Sequence, residues 1–169
     1  MKAIKTILHP TDFSKHSIEA LDLAGSLARD RCARLVILHV VPSAPAVIDG
    51  GAAAVDKAER RARDLENYRH EMLDRLHRMD VPAMACPAER ILVEGDAARE
   101  ILRKADEFSC DLIVMGTHGR SADFGRLMGS VAEEVSHKAP CPVLTVKTAG
   151  GDAGTPAFAH SAGLTPAGV

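Results

Sequence analysis

With 169 residues, 46% of them hydrophobic and 26% charged, the chain has the size and balance of one globular domain. Its formal net charge of -2 argues against a nucleic-acid partner and against adsorption to an anionic membrane, because both require a basic face. No apolar run approaches the roughly 20 residues of a membrane span. The first residues also lack a secretory leader, so we expect a cytoplasmic protein.

Two scarce residue types limit the chemistry of the chain. It has no Trp, one Tyr and four Phe, which predicts an aliphatic core and no aromatic platform for stacking bases. Its four cysteines have no metal-ligand or redox-pair spacing, so we interpret them as structural thiols: Cys32, Cys86, Cys110 and Cys141.

The first two predicted strands are short apolar segments with a helix between them. The segment Ile4 to Leu8 contains β-branched residues and predicts a strand that Pro10 stops. A helix from about Ser14 to Arg31 follows. Its predicted sheet-facing residues are Ile18, Leu21, Ala24, Leu27 and Ala28. The segment Arg34 to Val41 is an almost continuous apolar run, typical of a strand that helices cover on both faces.

A loop and a charged helix come next. Pro, Gly and Ala dominate from Pro42 to Val55, which predicts an exposed loop. From Asp56 to Met79, apolar residues recur at helical spacing: Ala58, Ala62, Leu65, Met72, Leu76 and Met79. We expect this helix to dock on the sheet of its own domain. Pairing with a coiled-coil partner is the alternative, which about three heptads with a polar break disfavour.

The second half of the chain repeats the alternation of strands and helices. The predicted strands are Glu89 to Glu94, Asp111 to Met115 and Val143 to Val146. Asp96 is the predicted N-cap of a helix whose inward residues are Ile101, Leu102, Ala105 and Phe108. A last helix runs from about Ser130 to Lys138. The alternation predicts an α/β domain with a mainly parallel sheet, and residues 148–169 are predicted to be a disordered tail.

A glycine-rich segment after the fourth predicted strand carries the candidate chemistry. Gly116 and Gly119 can admit backbone N–H groups to phosphate oxygens, and Gly129-Ser130 opens a helix whose N-terminus attracts anions. In an open parallel sheet, ligands bind beyond the carboxyl ends of the strands, where the strand order reverses. If the first and fourth strands flank that point, Pro10-Thr11-Asp12 faces the Gly116 loop across one crevice.

Several charged residues have a structural alternative. The carboxylate of Asp12 can accept hydrogen bonds from a ribose hydroxyl or an adenine amine, or it only caps the helix that follows. Arg120 and Arg126 can clamp phosphates, although arginines in exposed loops are usually solvated. We interpret His70 and His77, on the charged helix, as surface residues rather than metal ligands.

Several separated blocks together resemble the universal stress protein family, from about Met1 to Lys147. The blocks are Pro10-Thr11-Asp12-Phe13-Ser14, Leu38-His39-Val40, Val93-Glu94-Gly95-Asp96-Ala97, Met115-Gly116-Thr117-His118-Gly119-Arg120, Gly129-Ser130-Val131 and Cys141-Pro142-Val143-Leu144-Thr145-Val146. The resemblance implies a Rossmann-like fold of the adenine nucleotide alpha hydrolase type, with an open five-stranded, mainly parallel sheet of order 3-2-1-4-5 and helices on both faces. It also implies a homodimer in which the fifth strands, Val143 to Val146, meet across a two-fold axis and cover an apolar edge.

The same resemblance points to ATP, because the sequence keeps the glycine pattern of the ATP-binding branch of the family. It implies that Asp12 and Val40 hold the adenosine, that Gly116, His118 and Gly119 line the ribose and phosphates, and that Gly129, Ser130 and Val131 hold the phosphate tail. The predicted site also contains Pro10, Thr11, Met115 and Arg120. Mg²⁺ is the expected companion of the phosphates, although no carboxylate cage is visible.

We therefore expect an ATP-binding regulatory or stress-response protein whose nucleotide sets a conformation that unidentified partner proteins read. Two alternatives stay open, a slow ATPase and a nucleotide-free interaction module of the same fold. Designed catalysis lacks support, because the chain has no Gly-Lys-Ser/Thr lysine and Asp123 is the only carboxylate in the glycine loop. A dinucleotide enzyme is disfavoured, since no Gly-x-Gly-x-x-Gly follows the first strand.

Overall fold

The computed structural model describes residues 3–43, 52–81, 88–118 and 128–147. Strands and helices alternate along these residues, which confirms the predicted α/β class. In chain order the elements are β1 (Thr6–Pro10), α1 (Lys15–Arg31), β2 (Arg34–Val41), α2 (Ala52–His77), β3 (Glu89–Glu94), α3 (Ala97–Glu107), β4 (Leu112–Gly116), α4 (Ser130–Lys138) and β5 (Val143–Val146).

The five strands form one sheet in the order β3-β2-β1-β4-β5, and every neighbouring pair is parallel. This is the order that the family resemblance implies. The central strand β1 pairs with β2 on one side and with β4 on the other, so the direction of strand addition reverses between β1 and β4. A ligand is therefore expected beyond the carboxyl ends of these two strands.

The pairing of β1 with β4 ends before the strands do. Backbone pairing joins Leu8 with Ile113 and goes no further, and continuing this register would bring the nitrogen of Pro10 to the carbonyl of Val114. Proline has no N–H to donate. Nδ1 of His9 lies 2.8 Å from that carbonyl and donates to it instead. The strands can therefore separate at their carboxyl ends without leaving this carbonyl unsatisfied.

The first strand begins and ends two residues later than the predicted Ile4 to Leu8. Pro10 does not stop it, because its nitrogen faces the gap toward β4, where no ladder hydrogen bond is lost. On the other side Pro10 still pairs with Leu38 of β2.

The fourth strand begins at Leu112, one residue later than predicted. Asp111 precedes it, and its carboxylate accepts hydrogen bonds from the N–H groups of Lys5 and Thr6, at 2.9 and 3.2 Å. These bonds tie the start of β4 to the start of β1.

The buried face of α1 differs from the predicted one at its first position. The helix has Ser14 as its N-cap and buries a stripe of small and aliphatic residues: Ser17, Ala20, Leu21, Ala24, Gly25 and Ala28. Ile18 is 47% exposed, so its predicted place on the sheet-facing side is wrong. The small residues form the side of α1 that contacts the sheet. Position 18 lies outside this side, so Ile18 is turned toward solvent.

The second helix begins four residues earlier and ends two residues earlier than the predicted Asp56 to Met79, and it docks through its second half. It begins at Ala52, inside the predicted loop from Pro42 to Val55, because successive alanines favour helix. Met72 and Leu76 are buried, each contributing about 1.5–3 kcal/mol of hydrophobic stabilisation. Docking on the sheet of its own domain is therefore confirmed for this half. Ala62, predicted on the same stripe, is exposed.

Two hydrophobic clusters lie on opposite faces of the sheet. One joins α1 and α2 to Ile37 of β2, and the other joins α3 and α4 to Leu38. Successive residues of a strand point to opposite faces, so helices cover both faces as expected.

The remaining predicted elements agree with the structure. The bounds of β2, β3, α4 and β5 are those predicted, and Asp96 caps α3 by accepting a hydrogen bond from the N–H of Arg99. The predicted tail, residues 148–169, and residues 119–127 of the glycine loop lie outside the described residues. Within the described part of the chain, no helix is long and apolar enough to cross a membrane.

Candidate functional site

A crevice of about 870 Å³ lies at the carboxyl ends of β1, β2 and β4 and at the first turn of α4. Ten of the twelve predicted site residues line it: Pro10, Thr11, Asp12, Val40, Met115, Gly116, His118, Gly129, Ser130 and Val131. The other two, Gly119 and Arg120, lie outside the described residues. The fold thus brings motifs from both halves of the chain to one edge of the sheet.

Ten further residues line the crevice without having been identified from the sequence: Ser17, Leu38, His39, Pro42, Tyr68, Ala97, Ile101, Thr117, Met128 and Ala132. Six of them lie within two residues of a predicted one, so the same strand ends and helix start place them here: Leu38, His39, Pro42, Thr117, Met128 and Ala132. The other four come from helices: Ser17 from α1, Tyr68 from α2, and Ala97 and Ile101 from α3. For Tyr68, its spacing of four and eight residues from Met72 and Leu76 is the sequence signal that could have found it.

We call Thr11, Asp12, His39, Val40 and Tyr68 the side-chain wall of the crevice. These residues come from the turn after β1, from β2 and from α2. They range from a hydroxyl and a carboxylate to an imidazole and a phenol, so this wall depends on the residue type at each position.

Thr11 organises the turn between β1 and α1. Its Oγ1 accepts a hydrogen bond from the N–H of Phe13 at 3.1 Å and lies 3.0 Å from Oγ of Ser17, which donates to the carbonyl of Ser14. Phe13 adopts a φ of 62°, a left-handed conformation that is strained for a bulky residue. Its side chain is buried in the core, and this packing offsets the strain.

His39 fixes the same turn from β2. Because a carbonyl oxygen can only accept, Nδ1–H of His39 donates to the carbonyl of Thr11, at 2.7 Å. The His39 ring also lies 4.5 Å from the ring of Phe13. The turn that carries Asp12 is therefore held from β2 as well as from α1.

Asp12 does not cap α1 itself. Ser14 is the N-cap, and Oδ1 of Asp12 accepts a hydrogen bond from the N–H of Ser14 at 3.0 Å. The alternative in which Asp12 is the cap is therefore wrong. The bond to Ser14 orients the carboxylate at the wall of the crevice, where it can accept a hydrogen bond from a ligand.

We call Gly116, Gly129, Ser130 and Val131 the backbone wall of the crevice. Gly129 is the N-cap of α4 and has no side chain to accept from the first-turn N–H groups. Its own N–H donates to the carbonyl of Thr117 at 2.8 Å, which fixes the helix start against the end of β4. The first-turn N–H groups and the helix dipole favour an anion at this position.

Gly116 allows α1 to pack closely on the end of β4. A Cβ atom at this position would lie 2.9 Å from Cβ of His16 and 3.0 Å from its carbonyl carbon. Contacts this short require the neighbouring backbone to move. Gly116 thus has a packing role in addition to its place in the lining of the crevice.

His9 connects β1 with β4 one residue before Pro10, which lines the crevice. Its ring is fully buried and donates to the carbonyl of Val114. Burial lowers the pKa of His9 to about 4, because the charged imidazolium would lose its hydration, and the bond to Val114 offsets this only in part. His9 is therefore neutral at neutral pH, with its proton on Nδ1.

The described lining residues include no lysine or arginine. A phosphate bound here would therefore be held by backbone N–H groups and the dipole of α4 rather than by side-chain cations from this part of the chain. The described residues also contain no group of three His, Cys, Asp or Glu side chains that could hold a metal ion.

Comparison with known proteins finds a family and several relatives. The model of the universal stress protein family matches residues 3–147. Universal stress protein MJ0531 of Methanocaldococcus jannaschii is 36% identical over 143 residues, which cover 85% of this chain and 82% of that protein.

Solved structures show the same fold. Protein MJ0577 has a TM-score of 0.73 at 26% identity, and the match covers 87% of this chain and 98% of that one. A universal stress protein solved in complex with cAMP has a TM-score of 0.55 at 30% identity, with 86% and 98% of the two chains covered.

Proposed function

The chain belongs to the universal stress protein family, and from this premise we propose that it is an ATP-binding regulatory module of the stress response. The proposal places ATP in the crevice between the side-chain wall and the backbone wall. The bound nucleotide would set a conformation that a partner protein reads. No residue is assigned a catalytic role.

One observation carries this proposal. Ten residues that the sequence motifs single out line one crevice, although they come from four separate parts of the chain. Its volume of about 870 Å³ is within the usual range of small-molecule sites, about 300–1,000 Å³. The parallel topology places the polar end of β1 and the uncapped N-terminus of α4 at the same edge of the sheet, where such folds bind their ligands.

The chemistry of the side-chain wall matches the adenosine end of the nucleotide, and the chemistry of the backbone wall matches its phosphate end. Asp12 supplies an acceptor for a ribose hydroxyl or an adenine amine, and Val40 adds apolar surface beside it. The start of α4 supplies N–H groups for phosphate oxygens, because Gly129 leaves them without a side-chain cap. Adenosine therefore lies on the side-chain wall in this proposal, and the phosphates lie on the backbone wall.

Any Mg²⁺ would enter with the nucleotide. Since the described residues hold no three-ligand cluster, the phosphate oxygens and water would supply most of its ligands, as is common for this ion. We therefore expect removal of Mg²⁺ to weaken ATP binding and to leave the folded state unchanged.

The relative in complex with cAMP favours a second candidate ligand. An adenine nucleotide with a single phosphate would use the same contacts to the base and ribose, with fewer contacts to the start of α4. The two candidates differ in how much affinity the outer phosphates contribute.

Nucleotide extraction and calorimetry test the proposal. Freshly purified protein is extracted and its nucleotides are identified by chromatography, and ATP, cAMP, GTP and tripolyphosphate are then titrated separately into nucleotide-free protein. We expect an adenine nucleotide in the extract and tighter binding of ATP than of GTP. If no adenine nucleotide copurifies and none binds at about millimolar concentration, the proposal is wrong. Tighter binding of cAMP than of ATP would favour the second candidate.

We also propose that two copies associate through β5. This strand is at the edge of the sheet, and Leu144 is 38% exposed there. Pro142 and Val146 direct their carbonyls toward β4, so Val143 and Thr145 direct their backbone groups outward. A second β5 could pair with these outward groups and cover the edge.

The substitution Thr145→Pro tests this association. It removes an N–H that faces outward, whereas the bonds between β4 and β5 stay intact. We expect the wild-type protein and the Thr145→Val control to have twice the chain mass in light scattering, and Thr145→Pro to have the chain mass. A dimeric Thr145→Pro variant would show that the copies do not associate through this edge.

A further inference from the structure

Tyr68 connects the hydrophobic core with the crevice. Its side chain packs against the cluster under α1 and α2, and it also lines the crevice. Tyr68 lies one helical turn before Met72 and two turns before Leu76, both buried. Since α2 connects two parallel strands, it runs opposite to them, and its earlier turns approach the carboxyl ends of the strands. The position of Tyr68 at the crevice thus follows from the docking of α2.

Tyr68 and the start of α4, where the phosphates are proposed to bind, lie on opposite sides of β1. The helix α2 packs on β2 and β3, on one side of β1, whereas β4 and the start of α4 lie on the other side. Neighbouring strands are about 4.8 Å apart, so β2 and β4 are separated by about 10 Å across β1. A nucleotide whose phosphates contact the start of α4 would therefore direct its base toward β2 and Tyr68.

We propose that Tyr68 determines the preference of the crevice for a nucleobase by stacking its ring on the base. This inference rests on the proposed ATP site and adds a residue to it. One part of the Tyr68 side chain is fixed by the core, so little conformational freedom is lost when a base packs on the rest. Such stacking contacts the base and not the phosphates, and it accepts any base, because every base has a planar apolar face.

Proton NMR tests the contact directly. Tyr68 is the only tyrosine of the chain, and the chain has no tryptophan, so its ring signals are identified by selective tyrosine labelling. We expect saturating ATP to shift these signals upfield through the ring current of adenine. Saturating tripolyphosphate should leave them unchanged. Unshifted signals in ATP-saturated protein would overturn the inference, because no base would then lie on the ring.

Calorimetry of three variants tests the energetic contribution. We expect Tyr68→Phe to bind ATP like the wild type and Tyr68→Ala to bind it about tenfold more weakly. Tripolyphosphate affinity should be unchanged in both. Leu65→Ala, on the same face of α2 and outside the crevice lining, is the matched control for perturbation of the helix.

The outcomes separate this inference from the proposed function. If wild-type protein binds neither ATP nor tripolyphosphate, the proposed function itself fails. If wild-type protein binds ATP and Tyr68→Ala binds it equally well, only the role of Tyr68 is overturned. An equal loss of ATP and tripolyphosphate affinity in Tyr68→Ala, or a matching loss in Leu65→Ala, would show that Tyr68 acts through the packing of α2 and would also overturn the inference.

Discussion

The two walls of the crevice are built in different ways. In the side-chain wall, the hydroxyl of Thr11, the ring of His39 and the carboxylate of Asp12 are each fixed by hydrogen bonds to the turn between β1 and α1. In the backbone wall, Gly129 contributes the absence of a side chain, and the start of α4 contributes N–H groups. The side-chain wall can therefore recognise the shape of a ligand through its residue types. The backbone wall can recognise the negative charge of a ligand through main-chain N–H groups.

This difference predicts how each wall responds to mutation. Added bulk should damage the backbone wall, because its function depends on open access to N–H groups. In the side-chain wall, a conservative change at Asp12 should already weaken binding, because the role of Asp12 depends on its carboxylate oxygens. Substitutions at Gly129 and Asp12 test these two expectations, and substitutions at His9 and Gly116 test the packing that supports the crevice.

Gly129→Val should have the largest effect on nucleotide binding. Gly129 has φ and ψ of -71° and 154°, which valine adopts without strain, so we expect the variant to fold. Its side chain would cover the first-turn N–H groups of α4. We expect calorimetry to detect neither ATP nor tripolyphosphate binding, a loss of at least about a hundredfold in affinity. Unchanged affinity would mean that the phosphates do not bind at this helix start.

Gly129→Ser is the companion variant. A serine N-cap would accept from the same N–H groups and stabilise the helix by a few tenths of a kcal/mol. It should therefore weaken tripolyphosphate binding while slightly raising the melting temperature. Opposite changes in stability and affinity would show that the glycine is present for ligand access rather than for helix stability.

His9→Asn tests the connection between β1 and β4. Since the pKa of His9 is about 4 in the folded protein and about 6.5 in the unfolded chain, the unfolded chain binds more protons as the pH falls between these values. Wild-type stability should therefore be complete above about pH 6.5 and decrease by about 3 kcal/mol as the pH falls to about 4. Asparagine can donate to Val114 without titrating, so this part of the pH dependence should disappear.

Urea denaturation between about pH 7.5 and pH 5 measures the effect, since about 2 kcal/mol of this contribution is lost across that interval. His70→Asn is the matched control, because His70 is an exposed residue of α2. It should keep the pH dependence of the wild type. A wild-type pH dependence in His9→Asn would mean that other groups cause the acid sensitivity.

Gly116→Ala should have a smaller effect, and on stability rather than on binding alone. The added Cβ would lie within 3.0 Å of His16 atoms, including its backbone, and such overpacking costs about 1–3 kcal/mol. Gly129→Ala, at the other glycine of the backbone wall, should change stability by less than about 1 kcal/mol. Equal stability of the two alanine variants in thermal denaturation would contradict the packing role of Gly116.

The backbone wall could be predicted from the sequence more completely than the side-chain wall. The anion site stays to be tested, but the spacing of Gly116, Gly119 and Gly129 before Ser130 is specific enough to predict it without knowledge of the fold. The same holds for β2, β3, α4 and β5, whose apolar runs are bounded by clear polar or proline signals, and all four have their predicted bounds.

What the sequence did not reveal depends on tertiary contacts. The place of Pro10 inside β1 follows from the separation of β1 and β4, which no local pattern shows. The exposure of Ile18 follows from small residues that centre the α1 contact elsewhere. Tyr68 joins the crevice only because α2 docks through Met72 and Leu76. The scarcity of aromatic residues argues against a stacking platform made of several rings, whereas the role proposed for Tyr68 requires a single ring at the crevice.

Asp12→Asn should have the smallest and most selective effect on binding. Asparagine keeps the oxygen that accepts from the N–H of Ser14, so the turn should be preserved, while the charge and one acceptor are lost. A hydrogen bond to a charged group contributes about 1.5–3 kcal/mol, but asparagine keeps one acceptor, so we expect a loss near the lower bound, which is about tenfold in ATP affinity. Tripolyphosphate affinity should stay the same or rise, because a negative charge leaves the crevice. A parallel loss for both ligands in calorimetry would place Asp12 at the phosphates and would contradict the division of the crevice into two walls.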